Sequence, residues 1–202
     1  MDTSNSWEKV LPSLDIADRA APGREAGDPA ALAKRTLDIT IALSGAVLLA
    51  PLAAAMAIAM KVESRGPVLF VSRRLGRDGH VFRCVKFRTM TADGQVTRLG
   101  GLLRRFGLDE LPQLVNVLRG EMSLVGPRPV MAADSPESEV PRLRRFEVNP
   151  GMTGLWALHQ AHWSELHSYI SPDESYRKNW SVWLDVVILM RCLGAALAGR
   201  GH

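Results

Sequence analysis

The sequence predicts a mostly helical α+β protein that is held in a membrane by a re-entrant helix near its N-terminus. Three observations predict this fold class: an uncharged segment at residues 39–60, a hairpin signal near residue 78, and leucines at helical spacing in two later segments. The length of 202 residues suits one compact domain with appendages. We therefore divide the chain into an N-terminal tail, residues 1–33, and one membrane-embedded domain, residues 34–202.

Charge is distributed unevenly along the chain. The tail carries six acids and three bases, and its abundant Asp, Ala, Pro and Gly predict a mobile segment. Residues 61–130 carry thirteen bases and six acids. A basic middle indicates an anionic partner, such as a phosphate ligand, lipid headgroups or nucleic acid. We expect no nucleic acid, because these bases are not interleaved with aromatic residues.

Residues 39–60 contain no charged side chain and are long enough to cross a bilayer core of roughly 30 Å. The simplest interpretation is an ordinary membrane-spanning anchor. Pro51 argues against it, because a proline inside a helix lacks an N–H and clashes with the carbonyl four residues before it. This predicts a re-entrant helix over about residues 36–61, broken at Ala50 and Pro51.

The basic residues that flank this segment favour the same topology. They stand at both ends, as Lys34 and Arg35 before it and Lys61 and Arg65 after it. Positive charge marks the cytoplasmic side of a membrane, so a simple span would satisfy this rule at one end only. A helix that enters and leaves by the cytoplasmic face satisfies it at both.

A small β-hairpin is predicted to follow the membrane segment. Residues 68–72 are rich in β-branched and aromatic side chains, Asp78 and Gly79 signal a turn, and residues 81–87 form the return strand. Amphipathic helices are then predicted at residues 98–106 and 111–118, with a further apolar stretch at 180–197. We expect these helices to lie at the membrane interface around a site on the cytosolic face.

Asp109 and Glu110 directly precede the leucine-striped helix. A helix N-terminus stabilises negative charge, so this position is expected to lower the pKa of a carboxylate and keep it ionised, as a nucleophile requires. The neighbouring Glu110 is a candidate Mg²⁺ ligand, because Mg²⁺ binds oxygen and often bridges substrate phosphates. The alternative is that the pair only caps the helix.

Three basic elements surround this pair in the sequence. They are Lys86 with Arg88, Arg104 with Arg105, and Arg128 between Pro127 and Pro129. Prolines on both sides restrict the backbone and aim the guanidinium, which suits bidentate phosphate binding. A surface loop with a stray charge is the alternative.

Five motifs in this chain resemble, in order, those of the bacterial sugar transferase family, the monotopic phosphoglycosyl transferases. They read Gly-Pro-Val at 66–68, Lys-Phe-Arg-Thr-Met at 86–90, Leu-Asp-Glu-Leu-Pro-Gln-Leu at 108–114, Met-Ser-Leu-Val-Gly-Pro-Arg-Pro at 122–129 and Pro-Gly-Met-Thr-Gly at 150–154. The resemblance also includes Asp38, Asp173 and Asp185, and it extends over about residues 34–193.

The resemblance implies a phosphoglycosyl transferase at the cytoplasmic face of the bacterial inner membrane. The donor would be a UDP-sugar and the acceptor undecaprenyl phosphate or another polyprenyl phosphate, in the first membrane step of exopolysaccharide or glycoconjugate synthesis. Asp109 would form a covalent phosphosugar intermediate, Glu110 would serve a Mg²⁺ cofactor, and Lys86, Arg88 and Arg128 would lie around the phosphates. Membrane lipids and a possible homodimer complete the expected partners.

Departures from the family pattern, chiefly at residues 157–162, prevent the identity of the sugar from being carried over. They also leave a second hypothesis open, in which the chain is a non-catalytic membrane scaffold of a glycan assembly complex. UMP release from a UDP-sugar separates the two.

Overall fold

The computed structural model describes residues 28–134, 144–158 and 170–199. Its helices are α1 (Pro29–Glu63), α2 (Arg98–Arg105), α3 (Leu114–Arg119), α4 (Leu155–Leu158), α5 (Ile170–Lys178) and α6 (Val182–Leu197). Its strands are β1 (Leu69–Leu75), β2 (Val81–Phe87), β3 (Ser123–Val125), β4 (Val130–Met131) and β5 (Gly151–Thr153). The predicted mostly helical α+β class is confirmed. Most of the predicted tail and residues 159–162 lie outside the described residues.

Helix α1 begins earlier than predicted, at Pro29, within the segment assigned to the tail. The Asp28 carboxylate accepts a hydrogen bond from the N–H of Ala30 (2.9 Å), and Pro29 occupies the first helical position, where its missing N–H costs nothing. Among the described residues, α1 is the one helix long and apolar enough to cross a membrane.

Helix α1 continues through Ala50 and Pro51 to Glu63, so the predicted break does not interrupt the helix, and the re-entrant path stays a prediction. Pro51 removes one backbone hydrogen bond, and the many others in a helix of 35 residues hold the remaining turns together. The continuous helix is about 52 Å long.

One face of α1 lies along the folded domain from end to end. Its buried residues are Asp38, Ala42, Met56 and Met60, at helical spacing. Asp38 accepts hydrogen bonds from the hydroxyl of Ser123 (2.7 Å) and the N–H of Leu124 (3.1 Å). The other faces expose large apolar side chains, among them Leu43, Val47, Leu48, Leu52 and Ile58. The helix is therefore attached to the domain along one face and apolar on the outside.

The predicted hairpin is confirmed as antiparallel β1 and β2, with Asp78 and Gly79 both at positive φ (54° and 77°) in the turn. Strand β4 extends this sheet on the far side of β1, and β3 pairs in parallel with β5. Asn116 of α3 covers the outer edge of β2: its side chain donates to the carbonyl of Arg83 (2.7 Å) and accepts from the N–H of Val85 (3.1 Å). The edge is thereby closed to pairing with another chain.

Helix α6 is joined to α1 by a buried polar cluster around Asp185. Lys34 forms an ion pair with this carboxylate at 2.6 Å, while Tyr176 and Trp180 donate to it at 2.8 and 3.1 Å. Around the cluster lies the main core, whose fully buried members include Val117, Met122, Leu155, Leu184 and Ile188. A smaller core of Met56, Met60, Phe87 and Leu103 packs the other end of α1 against the hairpin and α2.

Candidate active site

The predicted carboxylate pair lies on a short turn between α2 and α3. Gly107 adopts a left-handed conformation (φ 66°) and reverses the chain after α2. A 3₁₀ helix, Leu108–Gln113, then carries Asp109 and Glu110 in its first turn. The pair therefore starts a helix as predicted, although the α-helical part begins only at Leu114.

Glu110 forms an ion pair with Lys86 of β2. The two side chains remain 19% and 26% exposed, so the pair is accessible from the cavity described below. A carboxylate and an ammonium at the wall of a cavity can be separated by a ligand that supplies the opposite charges.

The pKa of Asp109 is raised, which contradicts the predicted lowering. Burial is the main cause, and the negative charge of Glu110 beside it adds to the rise. The positive charges of Lys86 and Arg104 act in the opposite direction and are outweighed. A 3₁₀ turn of six residues is too short for the dipole of a long helix to offset this burial.

All five predicted catalytic and phosphate-binding residues line one cavity of about 710 Å³, which we call the Asp109 cavity: Lys86, Arg88, Asp109, Glu110 and Arg128. Ala50 and Pro51 lie elsewhere, on an exposed part of α1. A cavity of this size can accommodate a ligand of several hundred daltons.

Arg88 lies in the wall of the cavity, but much of its guanidinium is engaged by the chain that leaves α1. It donates to the carbonyl of Pro67 (2.7 Å) and to the hydroxyl of Ser64 (2.9 Å), the residue that ends the helix. A cation at a helix C-terminus is favourable. Arg88 therefore fixes the exit of α1 beside the site.

Arg128 lies in another part of the cavity wall, where its guanidinium carbon is 4.7 Å from the centre of the Trp156 ring. Such stacking is favourable for a planar cation. Trp156 is itself fixed, because it is almost fully buried and its indole N–H donates to the carbonyl of Gly126 (3.1 Å). The predicted aiming of Arg128 thus involves an aromatic ring in addition to the two prolines.

The sequence did not identify Arg74 and Trp156 as residues of this cavity. It also treated Arg104 and Arg105 as one basic element, whereas only Arg104 lines the cavity. Arg104 lines the cavity and donates to the hydroxyl of Thr89 (2.9 Å), whereas Arg105 is exposed outside it. Strand alternation contained the signal for Arg74, since this residue and Lys86 point to the same face of the hairpin. The position of Trp156 depends on tertiary packing and leaves no such signal.

The described part of the chain contains no cluster of three or more Asp, Glu, His or Cys side chains suited to a metal ion. Asp109 and Glu110 supply two carboxylates at the cavity wall. This donor set fits Mg²⁺, which is usually bound by one or two carboxylates together with substrate phosphates and water.

The chain is similar to known proteins over most of its length. Residues 29–199 match the sequence pattern of a family described as bacterial sugar transferase. A relative from Aeromonas hydrophila, named UDP-N-acetylgalactosamine-undecaprenyl-phosphate N-acetylgalactosaminephosphotransferase, is 38% identical over 85% of this chain and 45% of its own length.

Two further relatives are closer to this chain in size. The UDP-glucose:undecaprenyl-phosphate glucose-1-phosphate transferase of Caulobacter vibrioides is 38% identical over 82% of this chain and 70% of its own length. The exopolysaccharide production protein ExoY of Sinorhizobium fredii is 32% identical over 84% of this chain and 88% of its own length. The chain thus spans less than half the length of some curated relatives and most of the length of others.

Proposed function

Because this chain belongs to the bacterial sugar transferase family, we propose that it transfers a sugar 1-phosphate from a UDP-sugar to undecaprenyl phosphate or another polyprenyl phosphate. The observation that carries this proposal is Asp109 in a cavity whose walls also present Lys86, Arg104 and Arg128. One carboxylate among several cations suits an attack on a diphosphate, since phosphoryl transfer depends mainly on positioning and charge neutralisation.

The proposed reaction has two displacements at one phosphorus atom. A carboxylate oxygen of Asp109 attacks the phosphorus that bears the sugar, the bond from this phosphorus to the UMP oxygen breaks, and UMP leaves with the bonding electrons. A phosphate oxygen of the lipid acceptor then attacks the same phosphorus, and the bond to Asp109 breaks. The carboxylate is restored and the product is a polyprenyl diphosphate sugar.

The environment of Asp109 suits a nucleophile better than that of Glu110. Burial raises the pKa of Asp109, and a more basic carboxylate is a stronger nucleophile as long as it remains ionised. Glu110 is instead paired with Lys86. We therefore assign attack to Asp109 and the binding of a metal ion to Glu110.

We further propose that Mg²⁺ is the cofactor and that Glu110, with help from Asp109, holds it. When bound, Mg²⁺ neutralises charge on the donor phosphates. Lys86, released from Glu110, then has its ammonium available for a phosphate oxygen. Activity should be lost in excess chelator and return with Mg²⁺ or Mn²⁺, whereas full activity in chelator would remove the metal from the proposal.

We propose that the outer faces of α1 lie in the cytoplasmic leaflet of the inner membrane, with both helix ends on the cytoplasmic side. Lys34 and Arg35 at the first end bond to Asp185 and to the carbonyls of α3, and Glu63 at the other end accepts from the N–H of Leu99. A helix attached at both ends to a polar domain cannot place one end across the bilayer without moving that domain. The apolar exposed residues of α6 suit the same interface: Trp183, Met190, Leu193 and Leu197.

A screen for UMP release tests the proposed function. Purified protein in detergent or nanodiscs is supplied with Mg²⁺, undecaprenyl phosphate and one UDP-sugar at a time, and UMP is quantified. We expect release with at least one UDP-sugar and formation of the lipid-linked product. Absence of UMP with every sugar, under conditions in which the Caulobacter relative is active, would favour the non-catalytic scaffold.

A further inference from the structure

Residues 127–129, here called the Arg128 loop, have few backbone polar groups because two of the three residues are prolines. The structure pairs the carbonyls of both prolines. The carbonyl of Pro127 accepts from the N–H of Gly151 (2.9 Å). The carbonyl of Pro129 accepts from the guanidinium of Arg74 (3.0 Å). Both ends of the loop are therefore fixed to neighbouring strands.

The two remaining polar groups belong to Arg128, and both bind a buried ion pair behind the cavity wall. The N–H of Arg128 donates to the carboxylate of Asp173, and the carbonyl of Arg128 accepts from the guanidinium of Arg145 (2.8 Å). Asp173 and Arg145 contact each other at 2.6 Å, with side chains 1% and 5% exposed. Neither residue lines the Asp109 cavity.

We infer that Asp173 and Arg145 are positioning residues for the reaction, acting on the donor diphosphate through the backbone of Arg128. The position of the Arg128 guanidinium then depends on contacts at the backbone and at the side chain. The Asp173 carboxylate binds the N–H of Arg128, and the Arg145 guanidinium binds its carbonyl. The Trp156 ring lies beneath the Arg128 side chain. A buried ion pair is costly to desolvate, and an apolar pair of similar volume would stabilise the fold at least as well. A role for the ion pair beyond stability follows if it orients a backbone that carries a phosphate-binding side chain.

This inference rests on the proposed function, since it assigns a role to Arg128 at the donor diphosphate. It differs from a purely structural role in one measurable respect. Residues that act through Arg128 lose their effect when the Arg128 side chain is absent, whereas residues that only stabilise the fold do not.

The experiment is a double-mutant cycle with Asp173→Asn and Arg145→Lys, each made alone and in an Arg128→Ala background. The readouts are kcat/KM for the UDP-sugar and, independently of turnover, the Kd for UDP by calorimetry. We expect each single variant to lose about 10-fold or more in both, as is typical when a supporting residue is removed from a site. In the Arg128→Ala background the further loss should be less than about twofold.

Arg145→Lys keeps a positive charge beside Asp173, so it guards against a variant that fails to fold. Glu147→Gln is the matched control, because the ion pair between Glu147 and Arg177 (3.3 Å) joins the same two segments through a different pair of side chains. It should alter thermal stability and leave both readouts unchanged.

Two results would overturn the inference and leave the proposed function intact. One is an equal loss of kcat/KM and of UDP affinity in the presence and absence of the Arg128 side chain. The other is a fall in kcat with no change in the Kd for UDP. A wild-type protein that binds UDP but releases no UMP would overturn the proposed reaction, and the Kd cycle would still decide the positioning role. A wild-type protein that neither binds UDP nor releases UMP would overturn both.

Discussion

The two walls of the Asp109 cavity are built in opposite ways. On the carboxylate wall, Glu110 is balanced by a side-chain pair with Lys86, and both side chains remain accessible. On the arginine wall, the contacts go to the backbone of the Arg128 loop, and the guanidinium lies over a buried ring. A side-chain pair at a cavity can exchange partners with a substrate, whereas buried backbone contacts cannot. We therefore expect reaction and charge exchange at the first wall and fixed recognition at the second.

The largest effect should follow a change in the carboxylate wall. Asp109→Asn removes the nucleophile and should lower kcat by at least ~10³-fold. The variant should be no less stable to heat than the wild type, because burial disfavours the charge that is removed. Turnover and melting temperature measured on one preparation check both parts. Near-normal turnover would transfer the nucleophile role to another group.

The ion pair behind the arginine wall should make stability depend on pH. Burial raises the pKa of Asp173 to about 7, and the Arg145 guanidinium only partly opposes this. Between pH 4 and 7 the folded state therefore keeps a proton that the unfolded chain releases, so the free energy of unfolding should fall as pH rises. The direction of this dependence follows from linkage between protonation and folding.

Denaturant or thermal unfolding in detergent from pH 4 to 7.5 measures this slope for the wild type and for Asp173→Asn. The variant should lose the part of the slope that Asp173 contributes, whatever its absolute stability. A wild-type protein that becomes more stable as pH rises over this interval would show that Asp173 is ionised throughout.

The arginine wall itself should tolerate little change. Arg128→Ala should lower kcat/KM for the UDP-sugar about 100-fold, as expected for the loss of a charge-assisted phosphate contact. Arg128→Lys should recover only part of this, because an ammonium lacks the planar fork that stacks on Trp156. The control is Arg105→Ala, which removes the same charge outside the cavity. Full recovery by lysine would mean that charge alone matters at this wall.

The smallest effect is expected far from both walls, at Pro51. Because α1 is already continuous there, Pro51→Leu should add one backbone hydrogen bond, stabilise the fold by about 1 kcal/mol and leave activity nearly unchanged. Both helix ends should stay on one side of the membrane, since both are attached to the domain.

Single cysteines at positions 5 and 200, in a background lacking Cys84 and Cys192, report the sidedness of the termini. Both cysteines should resist membrane-impermeant thiol reagents in intact cells and react after lysis. The result should be the same for the wild-type helix and for Pro51→Leu. Labelling of one terminus from outside would mean that α1 spans the bilayer.

The sequence was sufficient for those parts of the fold that depend on local patterns. The hairpin turn at Asp78 and Gly79 and the mostly helical class both follow from residue type and spacing. The sequence predicts a break at Pro51, whereas the helix continues through this residue, because a single lost hydrogen bond does not interrupt a long helix that packs on a domain. The parallel pairing of β3 with β5 could not be predicted, since each strand has three residues and no periodicity.

The candidate site shows the same limit. The charged residues could be selected as a set, because phosphate chemistry needs carboxylates and cations near one another. The direction of the Asp109 pKa shift could not be predicted from the sequence, because it depends on how deeply the folded chain buries that carboxyl. Asp173 and Arg145 lie far from Arg128 in sequence, so only tertiary packing shows that they contact its backbone.

The most direct test of the assignment of reaction to the carboxylate wall is a search for the covalent intermediate. The protein is incubated with Mg²⁺ and a UDP-sugar that supports turnover, without lipid acceptor, and is then analysed by intact and peptide mass spectrometry. We predict UMP release of up to one equivalent, a mass increase of one sugar phosphate on the peptide that contains Asp109, and loss of this adduct when polyprenyl phosphate is added. UMP release that requires the acceptor, with no adduct, or an adduct on a residue other than Asp109, would contradict the account.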